Sequence, residues 1–362
     1  SPKDGKEHVY HRVPDILDVW VDAGSAAWNC LRMPGDAAGA RTAPEDGWLP
    51  ATFILEGRDQ IRGWFNLLHL ESMVCYGKPC FQNAFMHGFI RDSEGRKMSK
   101  SLGNYILPSE VWDKYGVDTL RYALITAANG GEDMNYNPLD VETRFRNLGV
   151  MWNVATYLTV TAAANADAVT AMPMEQLLAE AENGLGLEER YIISRLHGMI
   201  RTVDQLFAAY KLNRVPTAIM DFIMEISHVY IQLIWEKKDT GSALEKRAVV
   251  STLAECLLKA VTMFAAACPF IAEKIYQNLR ACSACGLCAL CPEESVHLLP
   301  WPTCNAALID PALEEDVNAA KDVIAAVLSA REKANLAVKQ PSRDVRVSCL
   351  PKYVPMVQRT AE

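Results

Sequence analysis

From about residue 137 onward, apolar side chains recur every three or four positions. Ile192, Leu196, Met199, Val203, Leu206 and Tyr210 form one row. Ile219, Phe222, Ile226, Tyr230 and Leu233 form a second, and Val249, Leu253, Leu257, Val261 and Phe264 a third. A period of about 3.6 residues puts each row on one helix face, so a bundle of amphipathic helices is expected over 136–305. Asn137-Pro138 offers a cap and a first-turn residue for the helix beginning NPLDVETRFRNL. Pro269 is expected to end or kink the helix of the third row. A further row, Val317, Ile324, Val327 and Leu328, leads through REKANLAVKQPSRDVRVSC into the start of a strand, so 306–362 reads as the opening of another region.

Residues 1–135 have a different texture, with short apolar runs between Gly and Pro. DILDVWVDAG looks strand-like; ATFILEG and CFQNAFMHGFI read as buried strands, and IRGWFNLLHLESMVCYG between them as a helix. Strand, helix, strand is the unit of a parallel sheet. The expected architecture is a partial Rossmann-like α/β domain followed by an all-α bundle. Ligands of such sheets sit at the carboxyl ends of the strands, here Glu56-Gly57-Arg58-Asp59-Gln60 and His87-Gly88-Phe89.

Composition narrows the classes. The 362 residues suffice for two or three domains, and half are hydrophobic. No uncharged apolar run approaches the roughly 20 residues of a membrane span, and the polar opening SPKDGKEHVYHRVPD is no signal peptide. A cytoplasmic protein with no membrane partner is expected. A net charge of −8 argues against a surface coated in nucleic acid but leaves room for a local basic face.

Candidate chemistry concentrates in GRKMSKSLGN at 95–104. Ser93-Glu94-Gly95 is turn chemistry, and Lys97, Ser99, Lys100 and Ser101 follow as donors suited to a polyanion such as a triphosphate. Alone, the stretch reads equally as a solvated turn.

Four stretches in order, DVWVDAG (18–24), EGRDQIRGWF (56–65), HGFIRD (87–92) and KMSKSLGN (97–104), followed by helices, resemble a class I aminoacyl-tRNA synthetase, most closely of the isoleucyl type. The likeness continues through KYGVDTLRYAL, ERYIISRLHGMI, ESVHLLPWP and AREKANLAVKQP. It implies ATP-dependent activation of isoleucine, with Mg²⁺, and transfer to tRNA(Ile). By resemblance, Lys100 meets charge on the phosphates, and Lys97 and Ser99 position it or the nucleotide. Glu56, Gly57, Asp59 and Gln60 face the adenylate, and Gly103 gives the loop freedom. Trp20 and Trp64 match aromatic walls of an isoleucine pocket; plain core packing is the alternative for both. In the bundle, Arg144, Arg146, Arg195, Arg201, Lys211 and Arg214 are candidates for the tRNA backbone, each equally readable as a solvated helix charge.

The chain departs from the family pattern in two places. DVWVDAG has Val21 for an aromatic residue and Ala23 for a serine. No H-x-G-H tetrapeptide occurs, nor an inserted editing domain, and both ends look cut. The chain is therefore expected to need a separate amino-terminal half, on another polypeptide or absent here, and to be inactive in isolation. A non-catalytic tRNA-binding paralogue is the alternative.

Of eleven cysteines, Cys282, Cys285, Cys288 and Cys291 fall at x2 spacing, followed by Pro292. This spacing suggests zinc or an iron–sulfur cluster, against a surface loop that happens to hold thiols. A redox-responsive regulator using this loop is the third reading. The other seven cysteines read as ordinary reduced thiols.

Overall fold

The computed structural model describes residues 9, 11–15, 19–29, 49–180, 185–337, 340–341, 344 and 346–354. The chain divides into two compact units, one of residues 1–98 with 128–136, the other of 99–127 with 137–362.

In the first unit, helix α1 (Val19–Gly24) replaces the strand expected of DVWVDAG. It packs on α2 (Trp64–Tyr76), and the Trp64 indole donates to the Ala23 carbonyl at 2.9 Å. Gly24 lets the two approach, since a β-carbon there would stand 2.5 Å from Glu71 Oε1. Strands β1 (Ile54–Gly57) and β2 (Ala84–His87) pair in parallel, Glu56 beside Met86 and Gly57 beside His87. Helix α2 joins them as the crossover, closed at its end by Gly77 in the left-handed region. A second parallel pair, β3 (Ile90–Arg91) with β4 (Met134–Asn135), completes this Rossmann-like portion.

The second unit is helical: α3 (Pro108–Tyr115), α4 (Val117–Thr126), α5 (Pro138–Ala164), α6 (Met174–Glu180), α7 (Leu187–Ala208), α8 (Val215–Glu225), α9 (Ala243–Phe264), α10 (Pro269–Arg280) and α11 (Pro311–Lys333). The periodic rows form its core, with Ile192, Leu196, Ile219, Leu253, Leu257 and Phe264 fully buried. Local chemistry sets the starts. Asn137 accepts from the Leu139 amide, and Ser242 and Glu245 form a reciprocal capping box. Pro269 opens α10 at its first turn instead of kinking α9, because the missing N–H is harmless there. The second row is interrupted by a π-turn at Ile226–Tyr230. Residues 346–350 are irregular, so the strand expected there does not form among the described residues, and Val296–Leu298 is a 3₁₀ turn.

Charge also ties the bundle. Arg195 on α7 pairs with Glu225 of α8 at 2.8 Å and Glu314 of α11 at 3.1 Å. Fully buried Glu189 accepts from Lys237 at 2.5 Å; burial pushes this carboxyl up, and the ammonium beside it pulls the other way.

Candidate functional site

The first unit gathers Glu56, Gly57, Asp59 and Gln60 at the carboxyl end of β1. Glu56 and Asp59 are exposed, while Gly57 is buried against His87. A 3₁₀ turn over Arg58–Arg62 carries the chain into α2. Gln60 fixes the corner twice: its Nε2 donates to Asp59 Oδ2 at 2.9 Å, and its Oε1 accepts the Trp64 amide at 2.9 Å. Its amide is thus oriented by the α2 amino terminus, and the Asp59 carboxylate by Gln60. Trp64 is half-buried and packs partly against Leu68 and Cys80. Trp20, exposed on α1, does not join that cluster.

Beside this corner lies a charge cluster that motif reading missed. Asp133 bridges Arg58 and Arg91, and its Oδ1 accepts the Phe89 amide at 2.8 Å. That amide, then Arg91, holds the Asp133 carboxyl below its ordinary range. The Arg58 guanidinium also lies 5.0 Å over the Phe89 ring. Gly88 permits the junction, because a β-carbon there would fall 2.0 Å from the Glu132 carbonyl oxygen.

The approach to the lysine loop is organised by Asp92, also missed. Only 5% exposed, it accepts from the amides of Glu94 (3.0 Å) and Arg96 (2.8 Å) and from Arg96 Nε (2.9 Å). The signal was present: Asp followed by Ser-Glu-Gly is an Asx-turn sequence. Gly95 takes φ +78°, and Lys97 then pairs antiparallel with Arg91. The second unit takes up the loop at Ser99. Its amide donates to Asn104 Oδ1 at 2.9 Å, and its hydroxyl accepts from the Leu102 amide at 3.3 Å. Lys100 begins a 3₁₀ turn, and Gly103 takes φ +66°.

Of the six basic candidates in the bundle, two are committed internally. Arg195 holds Glu225 and Glu314, and the Arg144 guanidinium lies 4.9 Å over the Tyr122 ring. Arg146, Arg201, Lys211 and Arg214 are exposed.

Among the described residues, the four clustered cysteines are not gathered as a ligand set. Cys285 is buried in a left-handed backbone, with its thiol directed 2.9 Å from the Ala162 carbonyl of α5. Cys288 is exposed, Cys282 half-buried and Cys291 buried. Among the described residues no group of three or more His, Cys, Asp or Glu side chains is placed to hold a metal ion. The expectation of zinc or an iron–sulfur cluster is thus unsupported: the left-handed kink at 285–286 turns one thiol into the core and leaves another in solvent.

Comparison with known proteins finds two family domains along the chain. Residues 3–137 match tRNA synthetases class I (I, L, M and V), and residues 189–347 match the anticodon-binding domain of tRNA ligase. The chain therefore carries class I tRNA synthetase catalytic and anticodon-binding domains. It is 36% identical over 345 residues to an isoleucine–tRNA ligase of Methanosarcina barkeri, covering 93% of this chain and 31% of that protein. An isoleucine–tRNA ligase of Archaeoglobus fulgidus is 34% identical over 342 residues, with the same shares covered. The chain thus spans about a third of the length of these relatives. In fold it is similar to the Agrobacterium radiobacter K84 agnB2 LeuRS, solved in a ternary complex with tRNA and LeuAMS. That match has a TM-score of 0.60 and 21% identity over 86% of this chain and 35% of that one. Among the described residues no helix is long and apolar enough to cross a membrane.

Proposed function

We propose that this chain is the adenylate-facing and tRNA-binding portion of a cytoplasmic isoleucine–tRNA ligase. It acts together with an H-x-G-H-bearing half, on the same or another polypeptide. The substrates are isoleucine, Mg²⁺-bound ATP and tRNA(Ile). In activation, the isoleucine carboxylate attacks the α-phosphorus and pyrophosphate leaves, so cations must meet the charge growing on the leaving group. Lys100 takes that part, and Lys97 and Ser99 position the loop. Glu56 and Asp59 hold the ammonium group or a ribose hydroxyl, Gly57 admits the ligand close to the backbone, and Trp20 and Trp64 wall the side chain. The exposed cations of the bundle meet the tRNA backbone.

The observation that carries this reading is the corner at the end of β1, where Gln60 orients Asp59 beside a buried glycine. Its arrangement fits ligand binding better than a solvated strand end. The test is isoleucine-dependent pyrophosphate exchange into ATP by this chain supplied with the H-x-G-H half, wild type against Lys100→Ala. Loss of one such electrostatic contact is expected to cost about 10²–10³ in rate. Undiminished exchange by the variant overturns the assignment of Lys100, and exchange with valine or leucine but not isoleucine overturns the substrate.

A further inference from the structure

The cysteine loop has a chemistry of its own. Cys288 and Cys291 line one cleft of about 410 Å³ with Arg280, Gln277 and Pro292. The two sit at the ends of a single turn, the Cys291 amide donating to the Cys288 carbonyl at 3.1 Å. A turn closed in this way holds its end Cα atoms within about 7 Å, and a disulfide needs about 4.4–6.8 Å. The backbone spacing therefore suits a bond between these two thiols.

Their exposures differ in a useful way. Cys288 is exposed and Cys291 is 2% exposed. The chain after Cys291 is pinned to α10: Tyr276 donates to the Glu293 carbonyl at 2.8 Å, and Gln277 to the Glu294 carbonyl at 2.6 Å. One thiol thus meets solvent oxidants while its neighbour waits in a fixed place. Arg280 also lines the cleft, but burial comes first and pushes the Cys291 thiol up to about 11, so Cys291 waits as a neutral thiol. The remaining two cysteines are placed otherwise, Cys285 into the core and Cys282 before the kink.

We propose that Cys288 and Cys291 form a two-cysteine oxidation site for small hydroperoxides. The Cys288 thiolate attacks the peroxide and breaks its O–O bond, giving a sulfenic acid and, after protonation, water or an alcohol. The Cys291 thiol then attacks the sulfenic sulfur, forming the S–S bond and releasing water. Two thiols lose two electrons and two protons in all, and one peroxide is reduced. A thiol reductant reverses the change.

The full chain, reduced and then given one equivalent of hydrogen peroxide, tests this by acid quench, alkylation and peptide mapping. Two fewer alkylatable thiols than the eleven of the reduced chain are expected, with a mass lower by two hydrogens. A Cys288–Cys291 bond should account for both and disappear with dithiothreitol. Cys288→Ser, at an exposed position, should abolish the bond and slow thiol loss at least tenfold; Cys291→Ala should leave a Cys288 sulfenic acid that dimedone traps. A bond to Cys282 or Cys285, or Cys288 still fully alkylatable after peroxide, overturns the proposal. Wild-type mapping alone decides it if Cys291→Ala fails to fold.

Discussion

Asp59 Oδ1 stands 2.5 Å from the point where a β-carbon on residue 57 would lie, so Gly57 sets how near the Asp59 carboxylate comes to the end of β1. A side chain at 57 would have to push that carboxylate away and break its bond with Gln60. The corner and its glycine form one unit.

Gly57→Ala and Gly88→Ala should therefore differ in cost. At 57 the obstacle is an exposed side chain that can rotate; at 88 it is the Glu132 backbone, 2.0 Å away. Gly88→Ala is expected to destabilise by on the order of 1–3 kcal/mol, as overpacking does, and Gly57→Ala by less. Urea denaturation of both variants checks the order. Equal costs would mean that the 57–59 corner is as rigid as backbone.

Asp92 should act on the lysine loop at a distance. Its carboxylate satisfies two amides and Arg96 Nε, and the turn it builds also carries the bond from the Asp92 amide to the Arg96 carbonyl. Asp92→Ala leaves those donors unmet, at on the order of 1–3 kcal/mol locally. Hydrogen exchange should show faster loss of the Glu94 and Arg96 amides, with the bundle amides unchanged. Unaltered exchange at Arg96 would show that the turn stands without Asp92.

How much of this was legible in the sequence follows from periodicity. The three apolar rows and the strand–helix–strand unit declare themselves, because burial selects side chains at fixed spacing. DVWVDAG misleads because Val19, Trp20 and Val21 make a short β-branched and aromatic run, as in a strand. Its helix rests on a partner 41 residues away, the Trp64 indole on the Ala23 carbonyl. Pro269 reads the same to a local rule whether it ends one helix or begins the next. The β1 corner was visible as a motif, but the grip of Asp133 on Arg58 and Arg91 was not. That cluster joins residues 42 and 75 positions apart, which no local pattern encodes. The cysteine spacing suggested four ligands, and the left-handed backbone at Cys285 separated them.

Acid should weaken the bundle through His197. It is 4% exposed on α7, and its Nδ1 accepts the Asn305 amide at 3.1 Å, which requires the neutral ring. Burial first, and then Lys259, hold its pKa down at about 4 against an ordinary 6.5, with Glu175 opposing. Between these values the unfolded chain binds the proton and the folded chain does not. Stability therefore falls as pH drops from 6.5 to about 4, by up to about 3 kcal/mol from this group. Denaturation at pH 7 and pH 5 should show a larger loss for wild type than for His197→Gln. Equal losses would remove His197 from the account.

The basic residues of the bundle should separate into two kinds. Arg195 joins α7 to α8 and α11, its side chain 40% exposed and those of Glu225 and Glu314 12% and 19%. Removing it takes the guanidinium from two largely covered carboxylates that keep hydroxyl donors, Tyr191 to Glu225 and Ser194 to Glu314. Arg195→Ala should therefore cost about 1–3 kcal/mol, less than a fully buried pair because solvent screens the guanidinium. It should leave RNA affinity nearly intact once compared at equal folded fraction. Arg201→Glu and Lys211→Glu alter exposed positions and should change stability by less than about 0.5 kcal/mol. If the bundle meets the tRNA backbone, each should weaken binding of the full chain to tRNA(Ile) and flatten its dependence on salt, since fewer counterions are released. Urea midpoints and salt-titrated binding on the three variants distinguish the kinds. Loss of RNA affinity confined to Arg195→Ala would invert the assignment, making the ion-paired arginine the contact and the exposed residues bystanders.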